Sequence, residues 1–164
     1  MRPIARMLRA MTIYLLALAF GVVAGLRAMT APAAVSWAAW LGWLELQETS
    51  LAFLGSVWAV GILTLLALGE LIADQLPATP SRKVPIQFGT RIVAGALAGA
   101  ALGTPAGMLI AGLVAGAVGA LVGTLGGAAA RGKLAEAFGR DLPAALLEDA
   151  VAIGGAWLIV SAAR

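Results

Sequence analysis

The sequence predicts an all-α membrane protein with five or six transmembrane helices. Of its 164 residues, 62% are hydrophobic and 12% are charged, whereas soluble domains average about 45–50% and about 25%. A soluble fold of about 150 residues buries only about 70% of the surface that its unfolded chain exposes, so it could not hide this much apolar surface. The uncharged runs also approach the roughly 20 residues that a helix needs to cross a bilayer. We therefore expect one integral membrane domain, residues 1–164, with the lipid bilayer as its surroundings.

The first predicted helix covers the apolar run from Ala10 to Leu26, which follows a basic N-terminal segment. A cleaved signal peptide has the same order of regions, but this run is long and has no clean small-x-small site beside Arg27. Pro32 stands where it can start a second helix. Residues 31–46 are short and carry three tryptophans, so they fit a helix in the membrane interface as well as a spanning helix.

The middle of the chain contains the least ambiguous crossing, residues 51–75. Its first nineteen residues, Leu51 to Gly69, carry no charge. The loop 76–85 follows, because its three prolines, Pro77 among them, prevent the helix from continuing.

The last part of the chain predicts a helical hairpin and one more helix. The run from Ile92 to Ala130 has thirty-nine residues without a charge, too many for one crossing. The segment Gly103-Thr-Pro-Ala-Gly107, with Pro105 at its centre, predicts the turn between two helices. We expect residues 131–141 to form a polar, basic loop and the last helix to cover about 142–162.

Two arguments disagree on the number of crossings. The positive-inside rule favours five, since every basic cluster then lies in the cytoplasm. An internal repeat favours six, because each half has small residues four apart, then a proline break, and later a helix that carries acids. The halves, 10–76 and 86–163, would then have inverted topology, as in many secondary transporters. The residues that define the repeat are Gly21, Gly25 and Pro32 in one half and Gly95, Gly99 and Pro105 in the other.

Missing residue types exclude several kinds of chemistry. The chain has no Cys and no His, so we expect no cofactor, no metal site and no catalysis by a thiol or an imidazole. Its net charge of +3 does not predict nucleic-acid binding, because no basic stripe alternates with aromatic residues. Lysines and arginines near helix ends indicate topology instead.

Charged residues in or beside the apolar segments are the candidate ion-binding or substrate-binding residues. A charge inside the membrane costs about 3 kcal/mol or more, so such residues usually face a cavity or one another. Glu70 and Asp74 share a helix face, whereas adjacent Glu148 and Asp149 lie about 100° apart, so we expect only one of them to point the same way. Solvated or snorkelling charges at helix ends are the alternative. The candidates are Arg27, Glu70, Asp74, Arg91, Glu148 and Asp149.

Glycines recur every four residues along the predicted helices, a spacing that lets two helix backbones approach closely. We expect them to pack helices within the bundle, with a homo-oligomer such as a dimer as the alternative. The candidate packing residues are Gly21, Gly25, Gly95, Gly99, Gly103, Gly112, Gly116 and Gly123.

Three motifs occur in order: Gly25-Leu-Arg-Ala-Met-Thr-Ala-Pro-Ala33, Glu70-x-x-x-Asp74-x-Leu-Pro-x-Thr-Pro-Ser-Arg82 and Leu147-Glu-Asp-Ala-Val-Ala-Ile-Gly-Gly155. Read together, they resemble the bacterial integral membrane proteins grouped as domain of unknown function 4126. The resemblance covers nearly the whole chain and implies a small multi-pass protein of the bacterial inner membrane with no established activity. It marks for testing Arg27, Pro32, Glu70, Asp74, Pro77, Arg82, Glu148 and Asp149.

The segment from Glu70 to Thr79 also resembles the acidic motif of undecaprenyl-pyrophosphate phosphatases, in which two acids precede a Leu-Pro-x-Ser/Thr turn. This chain lacks the histidine that those enzymes have soon afterwards, and it keeps only a fragment of their Pro-Gly-x-Ser-Arg-Ser element. We therefore expect no enzymatic activity. Binding or moving a lipid phosphate stays open, with Arg27, Arg82 or Arg91 as its partner.

The intramembrane charges favour a transporter or channel-like carrier of an ion or small solute. In this interpretation Glu70, Asp74 and Glu148 bind the coupling ion, and Arg27 or Arg91 supplies the counter-charge. The alternative is a structural or accessory membrane protein that assembles through its glycine faces, with the acids as static ion pairs. Lipid-phosphate binding or processing is the third hypothesis.

Overall fold

The computed structural model describes residues 2–75 and 84–164, without the side chains of Arg2 and Pro3, and these ranges are helical with no strand. The predicted all-α class is therefore confirmed. Two short 3-10 helices, Ala52–Gly55 and Thr104–Ala106, separate longer elements. Pro77 and Arg82, both singled out from the sequence, lie outside the described residues. The α-helices are α1 (Arg2–Leu26), α2 (Thr30–Trp40), α3 (Val57–Ala73), α4 (Pro85–Gly103), α5 (Leu109–Phe138) and α6 (Asp141–Ala163).

Four helical segments of the described chain are long and apolar enough to cross a membrane: Ile4–Leu26, Pro85–Ala106, Leu109–Phe138 and Asp141–Ala163. The outward faces of these helices carry large apolar side chains, with Ile110 69% and Leu158 62% exposed. Apolar residues all round a helix are typical of a membrane span, so the structure agrees with a membrane protein.

Residues 51–75, which the sequence predicts most clearly as a crossing, are not among these four segments. Helix α3 begins only at Val57 and has 17 residues. Ser56 stops it from starting earlier, because its backbone is extended and its side chain accepts a hydrogen bond from the Ala59 N–H at 3.1 Å. The prediction of one continuous crossing over residues 51–75 is therefore wrong at its N-terminal end.

Helix α2 runs back alongside α1. Helix α2 starts beside the end of α1 at Leu26. Leu44, just after the end of α2, lines the same cavity as Ile13 and Leu16 in the first half of α1, so the two helices run in opposite directions. Eight of the 11 residues of α2 are buried. Pro32 lies in its first turn, where a missing N–H costs nothing. The helix thus packs within the bundle and returns the chain towards the level of Leu16.

Two glycines in the left-handed conformation end helices at the same end of the bundle. Gly42 (φ +73°) follows α2, and Gly107 (φ +72°) is the last residue of the predicted α4–α5 turn, which the structure confirms. At each, the next residue donates a backbone hydrogen bond to the carbonyl oxygen five positions back, from Trp43 to Ala38 and from Met108 to Gly103, both at 2.8 Å. This is the Schellman pattern of a helix end. We call this the turn end of the bundle.

Helix α5 is longer than the sequence predicted. It continues through Arg131 and ends at Phe138, with Gly139 (φ +67°) as its cap. The predicted loop 131–141 is therefore wrong, because Lys133 to Phe138 is rich in residues with good helix propensity and contains no glycine or proline. The extra turns bring Arg131 into the bundle instead of leaving it in a loop.

Helices α1, α4 and α5 approach one another at glycines. A Cβ built on any of these glycines would lie within 3.0 Å of backbone atoms. The residues concerned include every predicted packing glycine and one more: Gly21, Gly25, Gly95, Gly99, Gly103, Gly112, Gly116, Gly119 and Gly123.

Candidate functional site

The candidate site is built around the break between α1 and α2. Helix α1 ends at Leu26, and the last carbonyls of a helix lack partners within it. Arg91 of α4, fully buried, donates through Nη1 to the carbonyl oxygens of Gly25 at 3.1 Å and Leu26 at 2.7 Å. A cation at a helix C-terminus also complements the negative end of the helix dipole. Arg91 therefore satisfies and stabilises the end of α1.

A carboxylate fills the opposite role at the start of α2. Glu70 of α3 accepts backbone N–H bonds from Ala28 and Met29, both at 2.8 Å. Free N–H groups and the positive end of the dipole favour an anion at a helix N-terminus. Arg91 Nη2 lies 3.5 Å from Glu70 Oε1, so the two charges that hold the break also hold each other.

Arg27, the first residue of the break, is fully buried and surrounded by carboxylates. Its Nε donates to Asp149 Oδ1 at 2.5 Å, and its Nη1 pairs with Asp74. Its Nη2 lies 3.9 Å from Glu148 Oε2. One guanidinium thus joins the α1–α2 break to the end of α3 and to α6.

Arg131 forms a second layer over this group, nearer the end of the bundle. Its guanidinium bonds Asp141 at 2.9 and 2.5 Å and Glu148 at 3.4 Å, and it donates to the backbone oxygen of Asp74 at 3.1 Å. Gln75 adds a weaker bond to Asp149 at 3.4 Å. These contacts connect α5 and α6 with the C-terminal end of α3.

Eight charged residues form the group that we call the charge network. We call the end of the bundle that holds them the network end. They come from the α1–α2 break and from α3, α4, α5 and α6. The members are Arg27, Glu70, Asp74, Arg91, Arg131, Asp141, Glu148 and Asp149.

The structure brings together all six residues proposed from the sequence as ion-binding or substrate-binding residues. Arg27 meets the acids, as the six-crossing arrangement requires and the five-crossing arrangement does not. One detail of the prediction is wrong: Glu148 and Asp149 both reach Arg27. The long guanidinium and the longer Glu side chain bridge the 100° between adjacent helical positions. Pro105 lies in the α4–α5 turn, at the opposite end.

Sequence reasoning missed Arg131, Asp141 and Gln75. The sequence predicts a loop at Arg131, and only the length of α5 brings this residue over the acids. Asp141 carries a recognisable signal, since it occupies the first turn of a helix, where an acid is favoured. The sequence contains no comparable signal for Gln75, whose contact depends on how α3 meets α6.

The network can hold or exchange charge at the place where α1 ends and α2 begins. Its described members are five carboxylates and three guanidiniums, an excess of negative charge that favours a proton or another cation. Within the described ranges, no group of three or more acidic residues is arranged to hold a metal ion. The arginines are held by carboxylates and carbonyls, so a lipid phosphate at Arg27 or Arg91 would have to displace these partners.

Comparisons with known proteins identify the family. Neither the curated proteins nor the solved structures gave a match to this chain. The model of one family, described as Domain of unknown function (DUF4126), matches residues 14–163. This range includes the α1–α2 break and every member of the charge network. The chain belongs to the DUF4126 family.

Proposed function

We propose that this protein is a small transporter or channel-like carrier of an ion or small solute, with the charge network as its binding and coupling site. The observation that carries the proposal is the helix break at Arg27, because its two ends are held by residues of other helices. In secondary transporters, helix ends inside the bundle commonly face the substrate and ion sites, and here the end of α1 and the start of α2 both face the charge network. Six crossings, in halves 10–76 and 86–163, are part of the proposal.

The charge balance supports a cation as the coupling species. The described members of the network hold two more carboxylates than guanidiniums, and all the carboxylates except Asp141 are largely shielded from solvent. A shielded carboxylate favours a proton or a cation beside it. Glu70 accepts hydrogen bonds at 2.8 Å from the two N–H groups just before α2, whereas Glu148 contacts Arg27 and Arg131 at 3.9 and 3.4 Å. Glu148 thus lies between the two guanidiniums that join α5 and α6 to the α1–α2 break, and we assign the coupling cation to this carboxylate.

Two buried polar atoms beside the break support a polar ligand. Arg27 Nη2 and Thr30 Oγ1 have no hydrogen-bond partner within the described ranges. A buried polar atom without a partner costs about 1–3 kcal/mol. A water or a small polar solute at the break would recover part of this cost, so binding there is favourable.

The test is ion flux in vesicles that contain the purified protein. Liposomes loaded with the pH-sensitive dye pyranine receive a K⁺ diffusion potential through valinomycin, and proton entry is recorded; parallel vesicles use radioactive Na⁺. We expect flux above that of protein-free vesicles for at least one of these ions. Glu148→Gln should abolish it, because the variant keeps the shape of the side chain but not its charge.

The matched control is Glu136→Gln, which removes an exposed carboxylate on α5 outside the network. It should keep the wild-type flux. Flux equal to that of empty vesicles for both ions, or an equal loss in Glu148→Gln and Glu136→Gln, would reject coupling through the network.

A structural or accessory role is the second candidate, and the cross-linking of five parts of the chain by ion pairs favours it. Exchanging Glu70 and Arg91 is not a clean test, because each also bonds backbone groups of the break. A better variant replaces the buried triad by Arg27→Met, Asp74→Asn and Asp149→Asn, since uncharged replacements of buried ion pairs are often neutral for stability. If the role is static, the variant should keep the wild-type stability and still bind the same membrane partners. If the protein is a carrier, the variant should fold but show no ion flux above that of protein-free vesicles.

A further inference from the structure

A cavity of about 290 Å³ lies at the turn end of the bundle, away from the charge network. Its wall is mostly apolar and includes Ile13, Leu16 and Leu102, while Arg9 and Arg164 are its charged residues. Neither arginine has a carboxylate partner within the described ranges, in contrast to Arg27, Arg91 and Arg131. The Arg164 guanidinium lies 4.9 Å from the centre of the Trp43 ring. Two guanidiniums at an apolar cavity favour an amphipathic anion.

A second cavity of about 520 Å³ adjoins the first and has the opposite charge. The two share Leu44 and Pro105 as lining residues. The second cavity is lined by Glu45 and Glu48, and neither forms an ion pair with a described residue. A ligand that occupies both cavities would need a negative group and a positive group close together.

The position of these cavities along the bundle places them at the level of the lipid headgroups. Arg9 lies about 27 Å from Arg27 along α1, at 1.5 Å per residue, which is close to the roughly 30 Å of a bilayer core. Tryptophans collect at membrane–water interfaces, and all five tryptophans lie in the half of the bundle with the cavities. They are Trp37, Trp40, Trp43, Trp58 and Trp157.

We propose that the two cavities bind one phospholipid whose headgroup carries a phosphate and a primary ammonium. The phosphate contacts Arg9 and Arg164, the ammonium lies by Glu45 and Glu48, and the glycerol and first acyl carbons pack on the apolar wall. A primary ammonium donates three hydrogen bonds to carboxylates, whereas a quaternary ammonium donates none and a glycerol headgroup has no positive charge. This site is independent of the charge network and of transport.

The test is a lipid titration of the full-length protein in detergent, followed by native mass spectrometry. The probes are dioleoyl-phosphatidylethanolamine, dioleoyl-phosphatidylglycerol and dioleoyl-phosphatidylcholine, with inorganic phosphate as competitor. We expect the ethanolamine lipid to bind most tightly and phosphate not to displace it. Each of Arg9→Gln and Arg164→Gln should weaken binding about fivefold. The double variant Glu45→Gln and Glu48→Gln should remove the preference over the glycerol lipid.

The matched control is Arg6→Gln, which removes the same charge one turn from Arg9 on α1 but outside the cavity. It should bind the ethanolamine lipid like the wild type. Circular dichroism of each variant checks that all of them are folded. The proposal is overturned if the glycerol lipid binds as tightly as the ethanolamine lipid, if Arg6→Gln weakens binding as much as Arg9→Gln, or if phosphate displaces the lipid.

Discussion

Gly95 offers the most direct test of how closely the helices pack. A Cβ at this position would lie 2.7 Å from the Ala120 Cβ, 2.8 Å from the Gly116 oxygen and 3.2 Å from the Gly21 Cα. The added methyl group of Gly95→Ala would therefore press on α5 and on α1 at once. All three of these atoms are backbone or Cβ atoms, which cannot move aside by a side-chain rotation.

The expected cost follows from the distances. Ordinary van der Waals contact begins near 3.4 Å, so α4 must move away from α5 by roughly 0.7 Å. Such a shift in a tightly packed interior costs about 1–3 kcal/mol, and it also weakens the contact with α1. The matched control is Gly89→Ala in the same helix, where a Cβ meets nothing within 4 Å. That variant should gain about 0.5–1 kcal/mol from higher helix propensity.

The measurement is unfolding in mixed micelles of increasing SDS fraction, followed by far-ultraviolet circular dichroism. Gly95→Ala should unfold at a lower SDS fraction than the wild type and Gly89→Ala at an equal or higher one, a difference of about 1.5–4 kcal/mol between the variants. If the two variants unfolded together, the close contact of α4 with α5 and α1 would not determine stability, and the reasoning would be refuted.

Three other predictions concern the charge network and the arrangement in the membrane. Arg27→Gln should destabilise the fold by about 3–5 kcal/mol in the same assay, because it removes the guanidinium that bonds buried Asp149 and leaves Asp74 with the more distant Arg91; an effect no larger than that of Arg6→Gln would contradict this. Glu70→Gln should cost about 1–3 kcal/mol, since it weakens the bonds to the amides of Ala28 and Met29 just before α2, while exposed Glu136→Gln should stay within about 0.5 kcal/mol of the wild type. Single cysteines at Ala5→Cys and Glu136→Cys should react with an impermeant thiol reagent from opposite sides of the membrane, because five of the six proposed crossings lie between these two positions; labelling from one side only would exclude the six-crossing arrangement.

Much of the helical framework was predictable from the sequence, because hydrophobicity and turn chemistry act locally. The turn at Gly103–Gly107 and the break before Pro32 depend on glycine and proline, whose backbone preferences need no partner. The predicted helix boundaries are wrong where a local sequence feature is compatible with two structures. Ser56 could be part of an apolar helix or its cap, and the segment after Arg131 could be a polar loop or the end of a long helix.

The candidate site was predictable only as a set of residue types. Charges in an apolar chain are costly, so the sequence could point to Arg27, Glu70 and Asp149 without any contact information. It could not show that Arg91 and Glu70 hold the ends of the α1–α2 break, since these contacts join residues more than 40 positions apart.

By itself, then, the sequence determined the solvent of this protein, the helical class and which side chains had to be partnered, because these follow from composition and from backbone preferences within one turn. The tertiary structure alone decided that α2 returns alongside α1 and that Arg131 covers Glu148. It also decided that unpaired charges gather at the turn end. These outcomes depend on how closely α1, α4 and α5 approach at their glycines, and that approach is set by shape complementarity between distant segments.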